Sequence, residues 1–342
     1  MIGRLLRILC LLLGLAGLGL TGWEYRNYRE QRDLTEQKLL AVSKRSVLKM
    51  SLVINQRISE VVDTAHLMAS DFSAALNQGT LTDYKVEARL RLAARNNPDI
   101  RAIGIATEAG IVAPDQGLYA PYYVLNEQGK FEMRRLDQRF SYLKPKNVEQ
   151  DWYGKLLRLG KGWTAPSKDL LTGDLQLTYV EVFTRFDQLT LRDVPAGVVF
   201  ISLSQNTFQE MVKALNLGEE GYAYLISAER KYLAHPNSQL VNKSVAEYAS
   251  EAGDPLLADD VQKAVNQQIF LRSGISGNRP CWFFYEPIPQ ASWSLGIVLQ
   301  KDPTNDIMRQ QKYALVKIAL LLLASVILLG MFFFHPWPNL LI

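Results

Sequence analysis

Apolar residues are massed at the two ends of the chain and thinly patterned between them. Ile8–Trp23 carries no charge. With Leu5 and Leu6 it reaches the ~20 residues a helix needs to cross a hydrocarbon core, Arg7 snorkelling to the headgroups. Ala314–Phe334 is charged only at Lys317, and Ile318–Phe334 is apolar apart from Ser325. Such a block lacks the polar face of a soluble core helix. Transmembrane helices are therefore predicted over 1–23 and 314–335. A cleaved signal peptide competes for the first block: the basic Arg4 and Arg7 fit it, but no small-x-small cleavage site follows.

Between the blocks the periodicity changes twice. Ile54, Ile58, Val61, Ala65, Met68, Phe72 and Ala75 step by four and three along a stretch without proline or glycine. This predicts one long helix over 24–79, ended by Asn77-Gln78-Gly79. Its stripe fits a lone coiled coil, or packing on a following domain and on a dimer mate. A second helix is predicted near Thr82–Arg95. Strands follow over Ile100–Thr107, Ala120–Leu125, Lys130–Leu136, Gln176–Phe183 and Ala196–Leu203, with Asn126–Gly129 as a hairpin turn and Trp152–Leu159 as a short helix. Asn206–Leu215 is read as a helix leading to a second run of strands, Gly221–Ser227, Lys231–Ala234, Cys281–Pro287 and Trp293–Gln300, with Asp254–Gln268 helical between them. Helix then sheet, twice, predicts an α+β fold with two antiparallel-sheet modules in tandem: 80–205, then 206–300, then a connecting helix over 301–313.

Composition narrows the chemistry. The formal net charge is +4 with both signs well mixed, and no basic run is interleaved with aromatics, so nucleic acid is not an expected partner. His66, His235 and His335 are scattered, and no metal or cofactor is expected. Cys10 and Cys281 lie too far apart in the pattern to predict a disulfide. Gly274-Ile275-Ser276-Gly277 has the wrong spacing for a nucleophile elbow.

Several segments together resemble a known family. Asp151-Trp152-Tyr153, Trp163-Thr164-Ala165-Pro166-Ser167-Lys168-Asp169, Leu177–Val180 and Gly197–Ser202 occur in the order found in double Cache sensor domains, PAS-like modules of bacterial receptors such as serine phosphatases and methyl-accepting chemotaxis proteins. Gly221–Ile226, Leu233-Ala234-His235-Pro236, Trp282–Pro287 and Trp293–Gly296 are similar to the opening and close of the second module. The resemblance covers roughly 40–305. It implies a long N-terminal helix, a membrane-distal ligand-binding module and a membrane-proximal module.

It also implies a small-molecule pocket formed by Trp152, Tyr153, Trp163, Asp169 and Tyr179, with Tyr122, Tyr142 and Ser202 as further candidates. Aromatic walls offer stacking and cation–π surface, and a carboxylate among them suits a ligand ammonium group. The pattern departs from the amino-acid-binding branch at Gln150, where that branch has Arg, at Ser167, where it has Tyr, and at Ser202, where it has Asp. These changes argue against an ordinary α-amino acid and leave open a neutral or aminic ligand, or none. Plain core roles stand beside this: Trp152, Trp163 and Tyr179 as packing, Asp169 as the brace of a turn, His235-Pro236-Asn237 as a turn.

The positive-inside rule puts Arg4 and Arg7 in the cytoplasm. The expectation is a two-pass inner-membrane protein with residues 24–313 extracytoplasmic and both termini cytoplasmic, including the tail 336–342. A homodimer is expected. No output domain follows the second span, so two readings stand open: a separate membrane or cytoplasmic signalling partner, or a truncated receptor. A protein-interaction module is a competing function. An enzyme using Asp151, Asp169 or Asp174 is the third, and is not expected, because no nucleophile, metal or sugar-binding context accompanies those carboxylates.

Overall fold

The computed structural model describes residues 2–112, 117–139, 142, 151–169, 171–215, 217, 221–252, 255–266, 268–276, 279–300 and 305–334. The chain divides into two compact units. One contains Met1–Arg45, Gly274–Cys281 and Gln300–Ile342; the other contains Ser46–Ser273 and Trp282–Leu299.

In the first unit, the beginning of helix α1 (Ile2–Asn77) packs on helix α7 (Asn305–Phe334). Contact is close because Gly14 and Gly17 carry no side chain: a Cβ on Gly17 would strike Ser325 Oγ, and one on Gly14 would come within 2.7 Å of Leu329 Cγ. Buried Ser325 satisfies its hydroxyl on Leu321 O at 2.7 Å, and Thr21 donates to Gly17 O at 2.8 Å. Lys317 Nζ pairs with Glu24 Oε1 at 2.5 Å. A stretch of α1 and Tyr313–Phe333 are long and apolar enough to cross a membrane.

In the second unit, the remainder of α1 buries the predicted stripe: Ile54, Ile58, Val61, Ala65, Met68 and Phe72 are all inaccessible. Helix α2 (Asp83–Asn96) starts at Thr82, whose hydroxyl accepts from Lys85 N. The distal sheet is antiparallel, with order β3-β2-β1-β7-β6-β4 and β5 also paired to β6. Its strands are β1 (Ile100–Thr107), β2 (Pro121–Leu125), β3 (Phe131–Arg135), β4 (Lys161–Trp163), β5 (Ser167–Lys168), β6 (Leu175–Asp187) and β7 (Arg192–Ser204), with helix α3 (Trp152–Leu159) between β3 and β4. β6 and β7 run several residues past their predicted ends. A register shift between Phe183 and Thr184 lets Pro195 pair with Thr184, so the proline does not end the ladder.

Helix α4 (Gln205–Lys213), capped by Ser204, leads into the proximal sheet of order β10-β11-β12-β8-β9. Its strands are β8 (Tyr222–Ile226), β9 (Tyr232–Ala234), β10 (Phe270–Ser276), β11 (Arg279–Ile288) and β12 (Trp293–Gln300); helices α5 (Val245–Ala252) and α6 (Pro255–Val265) precede β10. Strands β4, β5 and β10 and helix α5 were not foreseen. The first two are too short for a periodic signal, and polar positions dominate Arg272–Ser276. The α+β tandem of two sheet modules behind a long helix is as expected.

Candidate functional site

Strand pairing assigns the side chains of the distal sheet to two faces. Gly104 stands opposite Tyr122 and Phe200, Ala102 opposite Val124 and Ser202, and Thr178 opposite Ser202. Because side chains alternate along a strand, Gln176, Thr178, Val180, Val198, Phe200, Ser202, Ala102, Ala106 and Tyr122 share one face. Helix α3 lies on that face, with Trp152, Tyr153, Leu156 and Leu157 in the same cluster as Tyr122, Tyr142, Val180 and Phe200.

α3 is placed by its cap. Asp151 Oδ1 accepts from Gly154 N at 3.1 Å, Arg158 pairs with Asp151 Oδ2 at 2.6 Å, and the arginine holds the carboxyl below its usual range. Above the sheet the rings meet edge on or tilted. Tyr142 lies 4.9 Å from Tyr153 and 5.1 Å from Trp152, and Trp152 lies 6.1 Å from Phe200. Tyr122 lies 5.8 Å from Phe200. The small residues of β1 make room beneath them: a Cβ at Gly104 would sit 2.8 Å from both Phe200 Cζ and Pro121 O.

Burial pushes the Tyr122, Tyr142 and Tyr153 phenols well above their ordinary range, Asp169 adding to the effect at Tyr122. All three therefore keep their phenolic protons. Tyr142 donates to Thr107 O at 2.6 Å and Tyr122 to Asp169 Oδ2.

Asp169 is 6% exposed and already fully engaged. Oδ1 accepts from Leu171 N at 2.8 Å and Thr172 N at 2.7 Å; Oδ2 accepts from Tyr122 and from Gln176 Nε2 at 3.2 Å. These four donors occupy the about four lone-pair sites of a carboxylate. These bonds tie Asp169 into the turn Asp169–Asp174, the role weighed beside that of a ligand ammonium partner in the sequence. Asp174 is held by Arg101 at 2.8 Å. Ser202 and Thr178 share a hydrogen bond of 2.9 Å.

Trp163 and Tyr179 do not join this group. They face each other across β4 and β6, 5.4 Å apart, on the opposite side of the sheet. There Tyr179 donates to Glu181 Oε2 at 3.4 Å, and Glu181 Oε1 meets His66 of α1 at 2.7 Å and Lys161 at 3.2 Å. Odd positions of β6 point toward α1 and even positions toward α3. Trp163 instead reaches Trp293 of the proximal module at 5.2 Å. Phe200, Gln176 and Gly104 belong to the α3 face and were not singled out. Their parity with Ser202 was readable along β7, but the register joining strands was not. Gln150, a sequence-predicted departure, lies outside the described residues, and Ser167 is an exposed residue of β5.

The proximal sheet has its own aromatic face. His235 lies 5.0 Å from Tyr232, 5.5 Å from Tyr222, 5.9 Å from Tyr224 and 6.5 Å from Tyr248. Its Nδ1 accepts from Asn237 N at 3.0 Å, which fits the predicted turn, and burial lowers its pKa to about 4. Tyr224 lies over Gly296, where a Cβ would strike its ring, and donates to Tyr285 at 3.0 Å. Arg272 pairs with Asp260 and stacks 4.1 Å over Phe283. Among the described residues no group of His, Cys, Asp and Glu has the arrangement of a metal site.

Comparison with known proteins agrees with this architecture. A family model described as Cache domain matches residues 31–308. The methyl-accepting chemotaxis protein PscA of Pseudomonas syringae pv. tomato is 27% identical over 153 residues, 44% of this chain and 23% of PscA. The chain thus spans about a quarter or less of the length of the curated relatives it matches. Among solved structures, methyl-accepting chemotaxis protein X superposes with a TM-score of 0.60 at 15% identity, covering 78% of this chain and 99% of that one. The periplasmic sensory domain of the Campylobacter jejuni chemoreceptor Tlp1 gives 0.59 at 10% identity, covering 79% and 96%. At these identities the structural likeness concerns the fold.

Proposed function

The chain belongs to the Cache domain family, and on that premise we propose that it is a membrane-anchored extracytoplasmic sensor that binds a small molecule in its distal module and passes a conformational signal to the membrane helices. The observation that carries the reading is the α3 face of the distal sheet. Aromatic side chains from α3 stand over a floor kept low by Ala102, Gly104 and Ala106, the apolar wall with few polar groups that small-molecule sites favour. The chemotaxis proteins among the relatives support the same reading. Residues 24–313 then face the outside, both termini face the cytoplasm, and the working form is a dimer that hands its signal to a cytoplasmic partner.

The test uses the full chain in lipid nanodiscs, screened against a metabolite library by thermal shift and then by hydrogen exchange. The expected result is one chemical class that raises Tm and protects α3 and β7. Protection confined to the proximal sheet, or no stabilising class at all, overturns it. For orientation, a cysteine at Lys231 should react with a membrane-impermeant maleimide on intact cells; reaction only after lysis overturns the topology.

A second reading, docking of another protein, is favoured by the β6–β7 tip. Leu189 and Leu191 are 94% and 72% exposed there, in a loop closed by Asp187, which accepts from Leu189 N and Thr190 Oγ1.

A further inference from the structure

Three buried polar atoms in or beside the α3 face have no hydrogen-bond partner: Trp152 Nε1, a donor, Gln176 Oε1, an acceptor, and the hydroxyl of Thr164, whose backbone N–H donates to Thr178 O. Unpaired buried polar atoms are rare in folded proteins and call for an explanation. The identity of the Gln176 atom is fixed by its neighbour. Its amide faces Asp169 Oδ2 at 3.2 Å, and a carboxylate only accepts, so the nitrogen lies on that side and the oxygen is left over. Gln176 is 8% exposed. It lies on the same face as Val180 and Phe200, the latter touching Trp152, with Tyr122 bridging by its ring to Phe200 and by its hydroxyl to Asp169. The unpaired indole of Trp163 lies on the other face and belongs to a different contact.

Asp169, the buried carboxylate of this face, is already engaged within the protein. All four acceptor positions of Asp169 are filled by Leu171, Thr172, Tyr122 and Gln176. Ser202 is tied to Thr178. An ammonium group would have to displace one of four donors from Asp169 and leave that donor buried without a partner. A neutral ligand displaces nothing.

We infer that the α3 face of the distal sheet takes an uncharged, ring-bearing molecule that accepts a hydrogen bond from Trp152 Nε1 and donates one to Gln176 Oε1. This rests on the reading of the distal module as the ligand-binding one. The rings of Tyr142, Tyr153 and Phe200 supply its apolar contacts, and Trp152 Nε1 and Gln176 Oε1 supply its orientation. Zwitterionic amino acids and amines are selected against because Asp169, the buried carboxylate of this face, has no acceptor position left for their ammonium group.

The experiment is a thermal-shift and calorimetric comparison on the full chain in nanodiscs. The probes are uracil, adenine and nicotinamide on one side, and L-alanine, L-arginine, L-glutamate and putrescine on the other. The expected result is stabilisation by one or more neutral heterocycles. Trp152→Phe, which keeps a ring and removes the donor, should raise their Kd about tenfold, roughly the 1.4 kcal/mol of one hydrogen bond. Gln176→Met should raise it similarly, so that a folding defect in one variant does not decide the outcome; melting curves of the free variants report folding. If an amino acid or putrescine binds instead, and Asp169→Asn abolishes that binding, the inference is overturned while the sensor reading stands. If neither set of probes nor the wider library stabilises the chain, the sensor reading itself falls, and the inference with it.

Discussion

Trp163 of the distal module and Trp293 of the proximal module meet with ring centroids 5.2 Å apart and planes inclined at 52°. Each also has an aromatic neighbour in its own part of the fold: Tyr179 beside Trp163, and Phe208 of α4 standing edge on to Trp293 at 5.5 Å. Trp163 sits on β4, which pairs with β6, whose other face carries the α3 site. Trp293 begins β12, the strand that leads to Gln300. A change at the distal sheet therefore has a packed route into the proximal one. Trp293→Ala should destabilise the chain by about 3–4 kcal/mol through cavity formation. A double-mutant cycle with Trp163→Ala should return a coupling of roughly 0.5–1.5 kcal/mol, the usual size for an aromatic pair. Urea unfolding measures both, and purely additive values would show that the two modules do not communicate here.

The proximal module should lose stability in mild acid. His235 is buried, and its folded pKa of about 4 lies below the ordinary value of 6.5. Between these values the unfolded chain binds the proton and the folded chain does not, so stability falls as pH drops through that window and levels off below it. The full effect is on the order of 3 kcal/mol. Unfolding at pH 7.5 and 4.5 should show the difference in the native chain, and much less of it in His235→Gln. An equal loss in the variant would assign the effect to other groups.

Asp169→Ala should cost about 3 kcal/mol, because it strands Tyr122, Gln176 and two backbone N–H groups at once. Asp169→Asn should cost less, since one oxygen remains. Thermal melts rank the variants. A neutral Asp169→Ala would mean that the turn Asp169–Asp174 is held by something other than this carboxylate.

In the unit of the two apolar helices, Glu24→Cys and Lys317→Cys should cross-link readily with a short bismaleimide, in a background where Cys10 and Cys281 are serine. Adding Gly17→Leu should suppress the cross-link, since any side chain at 17 meets Ser325. Unchanged cross-linking with leucine present would show that the helices do not pack through this glycine.

Much of this protein is legible in its residues. A helix stripe stepping by four and three has one solution, and Ile54 to Phe72 are buried as their spacing requires. Apolar blocks with no polar face, and strands with alternating positions, are equally local properties. Membership of the Cache family follows from short motifs kept in order. The site is different. Residue parity says that Thr178 and Tyr179 point opposite ways, but which of them meets α3 depends on pairing Thr178 with Ser202 and Tyr179 with Trp163, and pairing is a property of two strands. The role of Asp169 depends likewise on which donors reach it: Tyr122 is 47 residues distant in sequence. Local periodicity is written in one segment at a time; the face under α3 is assembled from several strands, and only the folded sheet brings them into register.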